Sequence, residues 1–363
     1  MRRYRGTSIV AAMIIGVSFL VTGTPDQPVT WDLLLNPYAV NSNNLAYVVE
    51  VGGPGGTEVF NPFAVPGVRQ AINRFVDRRS IRDTILPPGS SIAYSPVRMG
   101  MPTIGGIIKT PGGQTFSVCL QHEHSFDVGR IYPGLHVWGS KPLLISAVKA
   151  AMSDASKLSC LQKAGKKRLE YVGTAWQFDG KDVEVKVLRR SDTQSLHHKI
   201  ANHVGLALGA CGFTVKYVDG DKMTLPSVAW PKVEVNGVMK PDPSKYPDFE
   251  WSIYIEGWVS TDEATESIPA VLAAQTYSAA AADPLTSPEV MPSGFKTPLL
   301  DDVCLFMDCV FKPLATSNCG TQSWSWLLTY FASSDELYWD LTTLIVRMGM
   351  DNAVRIYLGF QDQ

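Results

Sequence analysis

Residues 182–218 limit the fold more tightly than any other stretch of the chain. Val183, Val185 and Val187 alternate with Glu184 and Lys186, the period of two expected of a strand with one wetter face. Asp192 is then placed to cap a helix whose stripe is Leu196, Ile200, Val204, Leu208 and Cys211, and Gly212 stops that helix from the position beyond its C-cap. Residues 213–218 read as a second strand. Strand, helix and strand joined by tight connections make a right-handed βαβ unit, so the chain must contain two parallel strands with a helix on one face. That is an α/β fold.

The remaining periodicities add elements to the same sheet. Residues 30–36 read as a strand entering a proline turn, and residues 46–51 as a short strand before the flexible glycine-rich loop 52–56. Asn61-Pro62 and Pro66-Gly67 punctuate the next stretch. Val68, Ala71, Ile72 and Phe75 then recur at helical spacing, with Arg69, Arg74 and Arg78 largely off the stripe. A further turn of helix over 81–86 ends at Pro87-Pro88-Gly89. Residues 95–140 read as loops and edge strands, and 143–158 as a helix of small residues. Residues 248–258 have strong β-propensity. Alternation there puts Trp251, Ile253, Ile255 and Gly257 on one face and Ser252, Tyr254, Glu256 and Trp258 on the other. A last helix starts near 333 and carries Leu337, Leu341, Leu344, Ile345 and Met348, and residues 354–358 make a final strand. No internal repeat is present.

Composition excludes several classes of function. The chain has 363 residues, 45% of them hydrophobic, which is ample core for one large or two ordinary domains. The net charge of −2 supplies no field that favours nucleic acid or an anionic membrane, so no nucleic-acid partner is expected. The densest basic run, Lys163, Lys166, Lys167 and Arg168, reads as a solvated linker or helix face. Arg2, Arg3 and Arg5 precede the apolar run 9–21, and a Thr-Gly-Thr-Pro break comes after it. Residues 1–23 therefore read as a signal peptide or an uncleaved membrane anchor, with 24–363 as the folded domain. The run is short against the roughly 20 residues of a stable span. An exported location, secreted or N-terminally tethered at the cell surface, suits the six cysteines without fixing any pairing. Cys304, Cys309 and Cys319 lie close enough in sequence to pair locally, and Cys211 reads as a small buried side chain.

Sites of chemistry are sparse. His122, His124 and His136 have no HExxH helix around them, and His197, His198 and His203 form no i, i+4 pair. Neither set is expected to bind metal. The glycine-rich loop lacks the GK[ST] ending of a phosphate loop, and no G-x-S-x-G elbow occurs. Neither an enzyme nor a cofactor is expected. The strand at 248–258 is the better candidate, because Ser260, Thr261, Asp262 and Glu263 lie at its C-terminal end. Open α/β sheets bind ligands in the crevice beyond such ends.

The stretch FNPFAVPGVRQAINRFVDRRSIRDTI resembles the signature of the family 5 extracellular solute-binding proteins, the peptide- and nickel-binding receptors of ABC importers. The matching positions are Val68, Arg69, Ala71, Asn73, Asp77 and Arg78, after a Pro-Phe turn. TWDLLLNPYAV is similar to the strand that enters the family's second lobe, and residues 175–218 to its strand-helix-strand unit. FEWSIYIEGW is similar to the next strand, especially as archaeal members write it. These segments keep the family's order across residues 30–262. The resemblance implies a type II periplasmic-binding-protein-like lobe, a mixed sheet with flanking helices, with the first lobe largely missing. It implies capture of a peptide or similar small solute for an ABC permease in the membrane, with a partner chain supplying the first lobe. The rival expectation is a cell-surface structural or assembly protein that keeps the lobe without a ligand. By the same resemblance the ligand-binding set is Tyr254, Glu256, Gly257, Trp258 and Asp262, the last pairing with a ligand amine. The family's basic residue before Gly-Trp is replaced by Ile255 or Glu256, so a cationic or neutral ligand is easier to accommodate than a carboxylate.

Overall fold

The computed structural model describes residues 29–94, 106–109, 115–118, 139–163, 165–235, 238–259, 347 and 349–361. In chain order its principal elements begin with β1 (Val29–Leu35), β2 (Val48–Val51) and β3 (Thr57–Phe60). Helices α1 (Pro66–Phe75) and α2 (Arg78–Thr84), strand β4 (Ser91–Ile92) and helix α3 (Lys141–Ala155) come after them. Next are β5 (Leu169–Val172), β6 (Ala175–Phe178), β7 (Glu184–Arg190), α4 (Leu196–Ala210), β8 (Thr214–Gly220) and α5 (Thr224–Ala229). The last two strands are β9 (Ile253–Val259) and β10 (Arg355–Gln361).

Six of these strands, taken among the described residues, form one mixed sheet in the order β8-β7-β9-β1-β10-β4. Strand β7 runs parallel to both β8 and β9, while β9, β1 and β10 alternate in direction. The predicted βαβ unit is thus present, and its parallel register holds from Glu184 opposite Thr214 to Arg190 opposite Gly220. Central strand β1 lies in register with β9 along its whole length, from Val29 opposite Val259 to Leu35 opposite Ile253.

Alternation along these strands divides the core. One face carries Trp31, Leu33, Leu35, Val185, Val187, Ile253, Ile255, Ile356 and Leu358, packed under the apolar stripes of α1, α3 and α4. Each such aliphatic side chain, taken fully out of water, contributes about 1.5–3 kcal/mol. The opposite face carries Leu34, Leu188 and Tyr254 against Leu225, Ala229 and Trp230 of the α5 segment. Trp251 also packs in this second cluster, not with Ile253 as strict alternation predicted. The reason is that the strand starts at Ile253, and the backbone before it turns through Phe249 at a left-handed φ of 46°.

Helix α4 ends as its glycine predicts. Gly212 has φ 98°, its N–H donates to Gly209 O at 3.0 Å, and the Phe213 N–H reaches back to Leu208 O at 3.4 Å. That pair of bonds is a Schellman motif, completed by apolar packing of Phe213 and Leu208 in one cluster. The other end differs from expectation. Ser195, not Asp192, is the N-cap and accepts the His198 N–H at 3.2 Å, while Asp192 accepts from Gln194 N to form the preceding turn. The basic run near 165 is strand and turn, and its Arg168 bridges Glu58 and Asp179. Residues 355–358 of the expected final strand fall in β10, whereas Leu337, Leu341, Leu344, Ile345 and Met348 of the expected last helix lie outside the described residues.

Candidate functional site

The helix signature was expected to carry Arg69, Arg74 and Arg78 largely off the apolar stripe; Arg74 is exposed, but the structure buries the other two. Arg69 is 3% exposed and Arg78 is 1% exposed. Asn61 opens the turn by accepting from Phe63 N and donating to Asn36 O and Tyr38 O, which ties the Pro-Phe turn to the end of β1. Arg69 then gathers carbonyls with its planar fork: Phe63 O at 2.7 Å, Ala64 O at 3.0 Å and Asn352 O at 2.7 Å. Burial pulls its guanidinium down to about 10, which leaves it charged at neutral pH. Asn73 donates to Met350 O, and Arg78 donates to Ala93 O, Tyr357 O, Asn73 O and Asn73 Oδ1. Hydrophobic periodicity counts apolar side chains and so misses these residues. The available signal was the spacing of Arg69 and Asn73, which puts two polar side chains on one helix face. The signature is a clamp that fixes α1 and α2 to the chain entering β10.

Tyr254, Glu256, Gly257 and Trp258 of the predicted ligand residues sit on β9. Gly257 lies against the indole of Trp31, where an added Cβ would come within 2.6 Å of Trp31 Cζ3. Trp31 is in turn held edge-on by His197 at 4.8 Å. The glycine is therefore the condition for Trp31 to lie flat beside β9. Trp258 is opposite Thr30 in the β1–β9 register. Tyr254 is 8% exposed, meets Trp230 edge-on at 5.2 Å, and has its hydroxyl pushed up by burial. Asp262 lies outside the described residues.

Glu256 belongs to a buried ionic cluster that sequence reasoning did not find. Asp32 on β1 is its direct cross-strand partner, and Arg355 comes from β10 on the other side of β1. One guanidinium nitrogen, Arg355 Nη1, lies 2.9 Å from both Asp32 Oδ2 and Glu256 Oε2. It donates a well-aligned hydrogen bond to Asp32. Glu256 Oε2 is near but off the line of donation. Asp32, Glu256 and Arg355 are 0%, 4% and 4% exposed. Burial raises the Glu256 carboxyl above the ordinary range, more than the attraction of Arg355 lowers it. Arg355 is raised although burial alone would lower it, because Asp32 and Glu256 stabilise its charge.

A cleft of about 510 Å³ opens at the other end of β9, next to Trp251 and Asn36. Its floor is Trp230, Phe249 and Trp251, whose rings are almost wholly enclosed, and its rim carries Lys222, Lys245, Asp242 and Glu250. Sequence reasoning placed the ligand beyond Gly257 and missed this cleft, which is formed by α5 with the turns on either side of it and by the short 3-10 helix and turn before β9. Among the described residues no group of three or more His, Cys, Asp and Glu is arranged to hold a metal ion. His197 is half-buried, and His198 Nδ1 contacts Arg190 O at 2.6 Å. His122, His124 and His136 lie outside the described residues.

The sheet, its flanking helices and this strand arrangement define a mixed α/β lobe. No family model and no curated protein matches the sequence. Among solved structures, the chain is similar to the oligopeptide-binding protein AppA from Bacillus subtilis in complex with a nonapeptide. The identity is 13%, covering 92% of this chain and 45% of that one, with a TM-score of 0.47. It is similar also to the Escherichia coli murein tripeptide binding protein MppA, at 15% identity over 94% of this chain and 45% of that one, TM-score 0.46. A peptide-binding protein of a peptide ABC transporter aligns at 12% identity over 92% of this chain and 100% of that one, TM-score 0.45. The chain spans less than half the length of the first two. Likeness at this level is a similarity and carries no weight on its own.

Proposed function

We propose that this chain is an extracellular solute-binding protein that captures a peptide or similar small solute for an ABC-type permease. The observation that supports the reading is the use made of the signature residues. Arg69, Asn73 and Arg78 all anchor the helices to the chain that enters β10, and β10 and β9 flank β1. Strands β1, β7, β8 and β9, which lie in the segments similar to the family in sequence, thus share one sheet with β10. In this reading the ligand sits beyond the C-terminal end of β9, with Gly257 and Trp258 at the crevice and Asp262 facing a ligand amine. Tyr254 and Glu256 lie beneath that surface, so they act on a ligand through the strand. The opposing wall comes from a partner chain, and the site works at the cell surface, on a secreted or tethered protein. The ligand carries a positive charge or none.

A second reading, a surface assembly protein that retains the lobe without a ligand, is favoured by the enclosure of Tyr254 and Glu256 at 8% and 4% exposure. Calorimetric titration of peptide pools, with and without a candidate partner chain, separates the two. A half-open ion pair falls between the exposed and buried limits of roughly 0–1 and 3–5 kcal/mol. Asp262→Asn should therefore weaken an amine-bearing peptide by about five- to thirty-fold with little change in Tm. If no peptide binds in either setting, or if Trp258→Ala unfolds the protein, the assembly reading stands instead.

A further inference from the structure

The buried cluster across β9, β1 and β10 holds more than a salt bridge. Among the described residues, Glu256 Oε2 is paired with Arg355 Nη1, and that nitrogen already directs a hydrogen bond to Asp32 Oδ2. A carboxylate enclosed to 4% exposure needs aligned donors to remain ionised, because water no longer solvates it. Among the described residues, Glu256 Oε2 has no aligned donor. The described groups around it point the same way. Asp32 faces it from β1 and is a like charge, Tyr254 lies two residues away on its own strand, and Tyr357 comes from β10 opposite Asp32. Arg190, at the end of β7, acts on Tyr254. His197 contacts Trp31 from the other face of the sheet and does not take part.

We propose that Glu256 carries a proton in the folded protein near neutral pH, and that losing this proton to solvent loosens the β9–β1–β10 seam. The seam is thereby a pH-sensitive element, tighter in mildly acidic surroundings than in alkaline ones. The sign is set by the direction of the shift. A carboxyl whose folded-state pKa lies above its unfolded value near 4.5 adds stability below that value, and the contribution is lost as pH rises through the folded one. The inference is independent of solute binding, since it concerns the strands and not any ligand.

The test compares thermal melts of the full chain and of Glu256→Gln from pH 4.5 to 8. Other titrating groups cancel in the difference between the two. Gln keeps the shape of the neutral acid, so the two proteins should melt together at the acidic end. The wild type should then fall behind by at least about 2 °C by pH 8. Asp32→Asn supplies the control, because it frees Arg355 Nη1 for Glu256 and should shrink that pH-dependent gap. The infrared carbonyl stretch of a neutral carboxyl should be present at pH 6 in the wild type and absent from Glu256→Gln. A gap constant with pH, or an unchanged carboxyl band in Glu256→Gln, overturns the proposal. Should Glu256→Gln not fold, the infrared pH titration of the wild type decides alone: a band that persists above the ordinary carboxylate range supports the proposal, and one lost within that range refutes it.

Discussion

Replacing Arg78 with methionine isolates what the helix signature contributes. Methionine fills much of the same space with apolar atoms but offers no donor. The substitution withdraws hydrogen bonds from the carbonyls of Ala93, Tyr357 and Asn73 and from the Asn73 side-chain oxygen, at distances from 2.6 to 3.0 Å. It also removes the guanidinium stacked 4.9 Å above the Tyr94 ring. A buried acceptor left unsatisfied costs about 1–3 kcal/mol, and bonds to a charged donor lie toward the stronger end. Carbonyl oxygens have a second lone pair, and relief from burying a charge offsets part of the loss. The net expectation is a destabilisation of about 3–5 kcal/mol, a large share of the 5–15 kcal/mol typical of a folded domain. Urea denaturation followed by fluorescence and far-UV circular dichroism measures it. Arg79→Met is the internal control, since Arg79 is exposed and its pair with the helix neighbour Asp83 lies at the surface. A loss under about 1 kcal/mol for Arg78→Met, or an equal loss for Arg79→Met, would refute the clamp.

Three further outcomes are expected. Gly212→Val should cost about 1–3 kcal/mol, because a β-branched residue is forced to φ 98° and its Cβ would lie 2.7 Å from the Tyr171 ring. An unchanged urea midpoint would contradict the Schellman ending of α4. His197 is drawn down to about 4 from 6.5 by burial and, to a lesser extent, by Arg190. Its neutral form is therefore the folded one, and the stability it supports is present above pH 6.5 and lost as pH falls toward 4. That loss is on the order of 3 kcal/mol, and His197→Phe should remove it from the difference between the two melting profiles, whereas an unaltered acid limb would place His197 in water. A Tyr254→Phe protein should keep its Tm within about 2 °C at pH 7, since the hydroxyl is enclosed and neutral, and a large drop measured by calorimetry would reveal an essential hydroxyl bond.

Periodicity made β7, α4 and β8 legible because nearly every residue on their inner faces is aliphatic, and a glycine marks the end of the helix. It misplaced Trp251 because alternation holds only while the backbone is extended, and the chain before Ile253 is not. It placed the cap at Asp192, where Ser195 serves instead, because Asp and Ser cap equally well and only the path of the chain decides between positions three residues apart. The arginines were misjudged for a different reason. A guanidinium is buried where the backbone offers several carbonyls at once, and those of Asn352 and Tyr357 come from residues far along the chain. Asp32 carried a faint sign of its surroundings, as the one acid in the otherwise uncharged run TWDLLL. Its partners on β9 and β10 are set by strand order, which no local pattern encodes. Of the expected ligand residues, Gly257 was recognisable by its neighbour Trp258, but its contact with Trp31 depends on the β1–β9 register.

The place of β1 at the centre of the sheet has a consequence for how the protein is made. Asp32 and Arg355 are separated by 323 residues, so the strand's second neighbour is synthesised long after it. At roughly 5–20 residues per second, β1 waits on the order of 20 seconds to a minute for β10 to emerge. Val29, Trp31 and Leu33 to Leu35 form an apolar ribbon with both edges open until β9 is made and one edge open until β10 follows, a template for pairing with other chains. Pairing across such a separation also closes slowly once the chain is complete. Yield in a heterologous host should thus depend on chaperone capacity and on translation speed more than on the equilibrium stability of the finished sheet.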